Sequence, residues 1–107
     1  MSKSILQDEK VCFLTGSTEE LDKHHIYFGP NRKISEKHGF WVWLRHDMHI
    51  AGSQNKTPHN CRYVDLYLKE KCQRKYEETH SREEFIALIG RSYLYEDQED
   101  RNTKTSL

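Results

Sequence analysis

The chain has 107 residues, of which 35% are hydrophobic and 32% charged, so we expect one domain with a thin core. Its formal net charge is zero, which argues against a protein that coats nucleic acid through overall charge alone. The basic residues are nevertheless concentrated, because residues 23–62 hold seven Lys or Arg against two Asp or Glu. The same stretch holds six of the seven histidines, and its local charge favours a polyanionic partner.

Cysteine usage and hydropathy narrow the class of protein further. The three cysteines, Cys12, Cys61 and Cys72, form no Cys-x-x-Cys pair, so they support neither a disulfide framework nor a cysteine-based zinc site. A reducing compartment is therefore expected. The sequence shows no signal peptide and no long apolar run, which predicts neither export nor a membrane span.

Three short strands are predicted in the first half of the chain, at residues 11–14, 24–28 and 41–44. Gly16 marks the turn after the first strand, and Gly29 with Pro30 ends the second. The third has the strongest β signal, the run Trp-Val-Trp-Leu. Residues 31–40 are mostly polar, which predicts a loop with at most one helical turn.

Beyond Pro58 the apolar period changes from that of a strand to that of a helix, which predicts a long helix over residues 59–78. Its apolar positions are Cys61, Val64, Leu68, Cys72 and Tyr76. Ser81 followed by Glu84 matches a capping box, and a short second helix should end near Gly90. Residues 96–107 are polar and aperiodic, which predicts a disordered tail after a single domain of residues 1–95.

Five of the seven histidines lie near the ends of predicted elements, where a hairpin packed on a helix can bring them together. These five are His24, His25, His46, His49 and His59. Imidazole is a good ligand for zinc and other first-row divalent ions, and it transfers protons near neutral pH. The alternative is a set of polar loops in a His-rich chain. His38 and His80 are interpreted as surface residues.

This arrangement resembles the HNH endonucleases, or ββα-metal nucleases. Their core is a hairpin with an Asp-His or His-His pair on its first strand, followed by a second strand and a metal-binding helix. The pair matches His24 and His25, and the last ligand, commonly 24 positions after the second residue of the pair, falls on His49. The layout also resembles small phage and prophage proteins of this kind. The fold it implies is α+β, an HNH-like hairpin on a long helix with a short C-terminal helix.

The chain departs from that pattern at the structural zinc that many HNH domains carry. Of the four cysteine positions only Cys12 is kept, and the others are occupied by Thr15, Arg45 and Met48, so this zinc site is not predicted. The middle Asn of the motif, which pins the loop by hydrogen bonding, is replaced by Phe40. Asn31 is the candidate for the same task.

The resemblance implies an enzyme that hydrolyses DNA phosphodiester bonds with one divalent ion, which could be zinc, nickel, manganese or magnesium. By that motif His24 and His49 would bind the metal, and His25 would be the general base. Adjacent strand residues face opposite ways, which is consistent with different roles for His24 and His25. We add His59 as a third ligand, with His46 as its competitor. Asp22, two residues before His24, could orient a ligating ring.

The basic residues near the pair are the candidates for contact with DNA phosphates: Arg32, Lys33, Lys37 and Arg45. Each is equally well explained as part of a solvated loop. The implied partner is DNA, which could be branched or single-stranded, and the implied setting is the cytoplasm of a bacterial host, away from membranes.

Two other functions stay open from the sequence. One is a non-catalytic module that binds nucleic acid or a protein and keeps a structural metal site. The other is a small inhibitor or adaptor without metal. A structural zinc is closed by four protein ligands, whereas a catalytic one leaves a position open.

Overall fold

A computed structural model describes residues 3–46, 62–94 and 96–97, and within these ranges the chain is α+β. Two strands form an antiparallel hairpin, and three helices accompany it. In chain order the elements are β1 (Leu21–His25), α1 (Arg32–His38), β2 (Trp41–Arg45), α2 (Arg62–Tyr76) and α3 (Arg82–Ile89). A 3-10 turn, Gly29–Asn31, leads into α1. No helix in the described ranges is long and apolar enough to cross a membrane.

One face of the hairpin meets the core. The strands pair from Leu21 opposite Arg45 to His25 opposite Trp41. On the inner face Val42 and Leu44 are fully buried in one cluster with residues of α2. The predicted antiparallel hairpin and its packing against α2 are therefore confirmed.

The second predicted strand is shifted, since β1 covers residues 21–25 and not 24–28. Its early end is explained by Ser35, whose hydroxyl replaces a strand partner for Tyr27. Its Oγ accepts from the backbone N–H of Tyr27 at 3.1 Å and donates to the carbonyl of Tyr27 at 2.6 Å. The backbone of Tyr27 is thereby drawn out of the ladder and towards α1.

The strand predicted at residues 11–14 is wrong, because this stretch is a turn. The N–H of Gly16 donates to the carbonyl of Cys12 at 2.8 Å, and Gly16 has a φ of 81°. The N-terminal segment nevertheless forms hydrogen bonds with β2. The N–H of Phe13 donates to the carbonyl of Trp43 at 2.8 Å, while the Gln7 side chain accepts from the N–H of Trp43, so the outer edge of β2 is partnered.

The prediction of a loop at residues 31–40 is also wrong, because α1 occupies seven of these positions. The stretch has little apolar periodicity, and its buried anchor is the polar Ser35. A Cβ added at Gly39, which ends α1 with a φ of 77°, would lie 2.0 Å from the Lys3 carbonyl oxygen. The tight approach of the N-terminal segment therefore requires glycine here.

The two later helices agree with the sequence within the described ranges. The helix predicted over residues 59–78 is described from Arg62, and residues 59–61 lie outside the described part. At α3 the Ser81 hydroxyl accepts from the N–H of Glu84, and the Glu84 carboxylate accepts from the N–H of Ser81, which completes the predicted capping box. Gly90 ends the helix as expected. Residues 98–107 of the predicted tail lie outside the described residues.

Aromatic rings supply much of the core, as the composition predicts. Tyr27, Phe40 and Phe85 are fully buried, with ring centroids 5.5–6.4 Å apart. The Tyr27 hydroxyl donates to the backbone carbonyl of Lys69 at 2.6 Å, which ties the end of the hairpin to α2. The buried hydroxyl therefore has the partner that such a group needs.

Candidate functional site

The two adjacent histidines lie on opposite faces of β1. His24 is 1% exposed and lies opposite Val42 on the core face, with its ring centroid 6.3 Å from that of Phe28. His25 lies opposite Trp41 on the other face, and its side chain is 11% exposed. Strand alternation therefore gives the two imidazoles different surroundings, as expected for β residues.

His25 has a carboxylate partner that the sequence analysis did not identify. Its Nε2 lies 2.7 Å from Oε1 of Glu36, which α1 carries across to β1. The Lys23 ammonium is 3.3 Å from the other oxygen of Glu36. The hydrogen bond to His25, and then the bond and charge of Lys23, lower the pKa of Glu36 despite a smaller opposing effect of burial, so the carboxylate stays ionised at neutral pH.

A second imidazole–carboxylate pair occupies the other end of the hairpin. Nδ1 of His46 lies 2.7 Å from Oδ2 of Asp22, and the backbone N–H of His46 donates to the carbonyl of Glu20 at 2.7 Å. Asp22 is two residues from His24 on the same face of β1. Asp22 thus contacts His46, the residue that competes with His59 as a third ligand, and its role in orienting a ligating ring stays a prediction.

Only part of the predicted metal site can be described. His24 belongs to the described residues, whereas His49 and His59 lie outside them. Across residues 3–46, 62–94 and 96–97, no group of three His, Cys, Asp or Glu side chains is close enough to hold a metal ion. The imidazole of His24 suits a borderline divalent ion. A complete site on this face would need further ligands from residues 47–61.

The positions that correspond to zinc ligands in the HNH resemblance gather around Cys12. Burial raises the pKa of the Cys12 thiol, but hydrogen bonds from the Thr15 hydroxyl and from the backbone of Arg45, Thr15 and Leu14 lower it more. Three of the four positions, Cys12, Thr15 and Arg45, are therefore in contact, and the fourth, Met48, lies outside the described residues.

Three of the four predicted phosphate contacts share one element. Arg32, Lys33 and Lys37 are exposed on α1, and the first two precede Glu36 by one helical turn. Arg45 is different. It pairs with Leu21 at the far end of the hairpin from His25, roughly 13 Å along the strand, and its guanidinium is 3.9 Å from Glu20.

Asn31, the candidate for pinning the loop, does bind across the fold. Its Nδ2 donates to the backbone carbonyl of Ile89 at 3.0 Å, so the 3-10 turn is attached to the end of α3. Ser35 fixes the start of the same loop through its hydrogen bonds to the backbone of Tyr27. The loop of the hairpin is thus fixed by two polar side chains.

No protein family, curated protein or solved structure matches this chain. The residues of the hairpin and of α1 are therefore the basis for assigning a function.

The two imidazole–carboxylate pairs predict opposite tautomers for His25 and His46. An ionised carboxylate only accepts hydrogen bonds, so Glu36 selects the Nε2–H form of His25 and Asp22 selects the Nδ1–H form of His46. Nitrogen-15 NMR of the neutral rings should show these two forms. Glu36→Gln should give a tautomer mixture at His25 and leave His46 unchanged, because an amide can donate as well as accept.

Asp22→Asn is the matched control, and it should change His46 while leaving His25 unchanged. A His25 ring that keeps a single Nε2–H form in the Glu36→Gln variant would contradict the assignment.

Proposed function

We propose that the protein is a metal-dependent endonuclease that hydrolyses DNA phosphodiester bonds. The observation that carries the proposal is the separation of the histidine pair, with His24 on the core face and His25 bonded to Glu36 on the other. A metal ligand and a general base need different surroundings, and adjacent strand positions supply them. The contact among the positions around Cys12 that correspond to zinc ligands in HNH domains is consistent with the same resemblance.

The chain's own groups suit proton transfer beside a phosphate. Glu36 accepts from Nε2–H of His25, so Nδ1 keeps the lone pair that takes a proton from the attacking water. The cations of α1 on the turn before Glu36 are placed to contact phosphate oxygens. A divalent ion held by His24 and His49 would supply charge stabilisation at the scissile phosphate.

One observation favours a non-catalytic module with a structural metal as the second candidate. His24 is 1% exposed, and a structural site is closed, whereas a catalytic metal needs an open position for water or substrate. Such a module would bind nucleic acid through α1 without cleaving it.

The proposed activity is tested by plasmid nicking with the wild-type protein in Mg²⁺, Mn²⁺, Ni²⁺ or Zn²⁺. We expect conversion of supercoiled to open-circular plasmid with at least one ion, and loss of nicking when a chelator is added. A plasmid that migrates more slowly in the gel because protein is bound, but stays supercoiled with all four ions, would contradict the nuclease and favour the binding module.

Removal of two predicted ligands should abolish metal binding. The His24→Ala, His49→Ala double variant should lose the heat of Ni²⁺ or Zn²⁺ binding in calorimetry, because two imidazole ligands are removed. His80→Ala is the control, since His80 is exposed, stacks on Tyr76 and is not a predicted ligand. Unchanged stoichiometry and affinity in the double variant would show that these histidines are not the ligands.

A further inference from the structure

The solvent face of α2 has an unusual composition. The six exposed residues of this helix are Arg62, Tyr63, Tyr67, Lys71, Arg74 and Lys75, so every one is basic or a tyrosine. Its acidic residues are less exposed and bonded, Asp65 to Lys69 and Glu70 to Arg74, each at 3.0 Å. The helix therefore shows solvent a mixture of cations and aromatic rings.

Tyr63, Tyr67 and Lys71 form a single stripe along this face, which we call the tyrosine stripe. They follow each other at intervals of four residues, so each lies one helical turn beyond the last. Tyr63 is 81% exposed and Tyr67 is 43% exposed, and both are among the few exposed large hydrophobic side chains of the described residues. The Lys71 ammonium lies 5.7 Å from the centroid of the Tyr67 ring.

We propose that the tyrosine stripe binds single-stranded nucleic acid, with bases stacked on Tyr63 and Tyr67 and a phosphate on Lys71. Aromatic rings beside cations are the usual means of binding single strands without sequence preference. The proposal goes beyond cleavage at the hairpin, since it concerns a different element and needs neither metal nor base.

The spacing of the rings favours a single strand over a duplex. Residues four apart on a helix are about 6 Å apart, whereas successive stacked bases in one strand of a duplex are about 3.4 Å apart. Two successive bases can reach both rings only when they are unstacked from each other, which a flexible single strand allows.

The test is fluorescence anisotropy of labelled oligo(dT) of about 12 nucleotides, a length within the range bound by single domains of this kind. Tyr67→Ala and Tyr63→Ala should each weaken binding by about 5- to 150-fold, the loss expected when one stacked base loses its ring. Tyr67→Phe and Tyr63→Phe keep the ring and should bind within about twofold of wild type. Lys71→Gln should reduce the slope of log affinity against log salt by about 0.7, since one phosphate contact is removed.

Ile86→Ala is the control for loss of an exposed apolar side chain elsewhere, and it should bind as wild type. Circular dichroism should show that each variant folds, because alanine favours helix. The titration is run in a chelator without divalent ions, so binding is read separately from metal-dependent cleavage. Equal affinity of the alanine and phenylalanine variants, or tighter binding of duplex than of single strand, would overturn the proposal.

Failure of the wild-type chain to bind oligo(dT) at low salt would also overturn the proposal. A partner protein would then be the expected occupant of this face. Binding of oligo(dT) with the expected tyrosine dependence, together with no nicking of plasmid, would retain this inference and remove the proposed nuclease.

Discussion

His25→Ala should lower the rate of plasmid nicking by at least about 10²-fold, the low end of the contribution of one general base. His25 lies on the face of β1 opposite His24, outside the hydrophobic core cluster, and its ring bonds Glu36, so its removal deletes the proton acceptor and leaves that cluster intact. Glu36 keeps its bond to Lys23 in the variant, so no carboxylate is left without a partner. The fold and the affinity for the divalent ion should therefore be nearly unchanged.

The measurement is the initial rate of nicking at saturating metal, with calorimetry of metal binding on the same preparation. His80→Ala is the matched control, because it removes an exposed histidine that has no predicted role in the mechanism. Glu36→Gln should give a smaller loss than His25→Ala, since the base remains and only its orientation is relaxed. Nicking by His25→Ala at the rate of wild type would remove this histidine from the mechanism.

The hairpin and the two later helices are predictable because their signals are local. The run at β2 carries β-branched and aromatic residues, α2 shows a helical apolar stripe, and α3 begins with a capping box. The shift of β1 and the existence of α1 are not predicted by such signals. They meet at Ser35, a polar residue of α1 that is fully buried and bonds the backbone of Tyr27 eight positions earlier, beyond the end of β1.

The unpredicted helix has a consequence for the site. Without α1, Glu36 is one charge among many in a polar loop, and nothing in the sequence pattern indicates its contact with His25. Pro30 before the segment and Gly39 after it are the signals that favour a helix, since proline is common at helix starts and glycine at helix ends. Apolar periodicity is the stronger signal elsewhere in the chain, and α1 has little of it.

Strand alternation, in contrast, is enough to separate His24 from His25, because it depends only on their being adjacent in a strand. The same rule puts Asp22 on the face of His24, although the structure bonds its carboxylate to His46. Whether the Asp22 carboxylate contacts His24 or His46 depends on where β2 ends. The spacing of residues in the sequence does not predict this tertiary contact.

Phe85→Ala should lower the free energy of unfolding by about 3–5 kcal/mol, the usual loss for truncation of a buried aromatic ring. The ring is fully buried and lies 5.5 Å from the Tyr27 centroid and 5.9 Å from that of Tyr76, so its removal opens a cavity at the junction of hairpin, α2 and α3. A domain of this size is typically stable by only about 5–15 kcal/mol, so the variant should lose a large fraction of its stability.

Ile86→Ala is the matched control for Phe85→Ala, because it truncates the next residue of the same helix at a side chain that is 39% exposed. Its effect should stay within about 0.5 kcal/mol, as for other surface substitutions. Urea denaturation followed by circular dichroism measures both values, and a lower midpoint with an unchanged slope indicates lost stability alone. Equal losses at the two positions would mean that α3 does not pack on Tyr27 through Phe85, and the attachment of this helix to the hairpin would have to be reassigned.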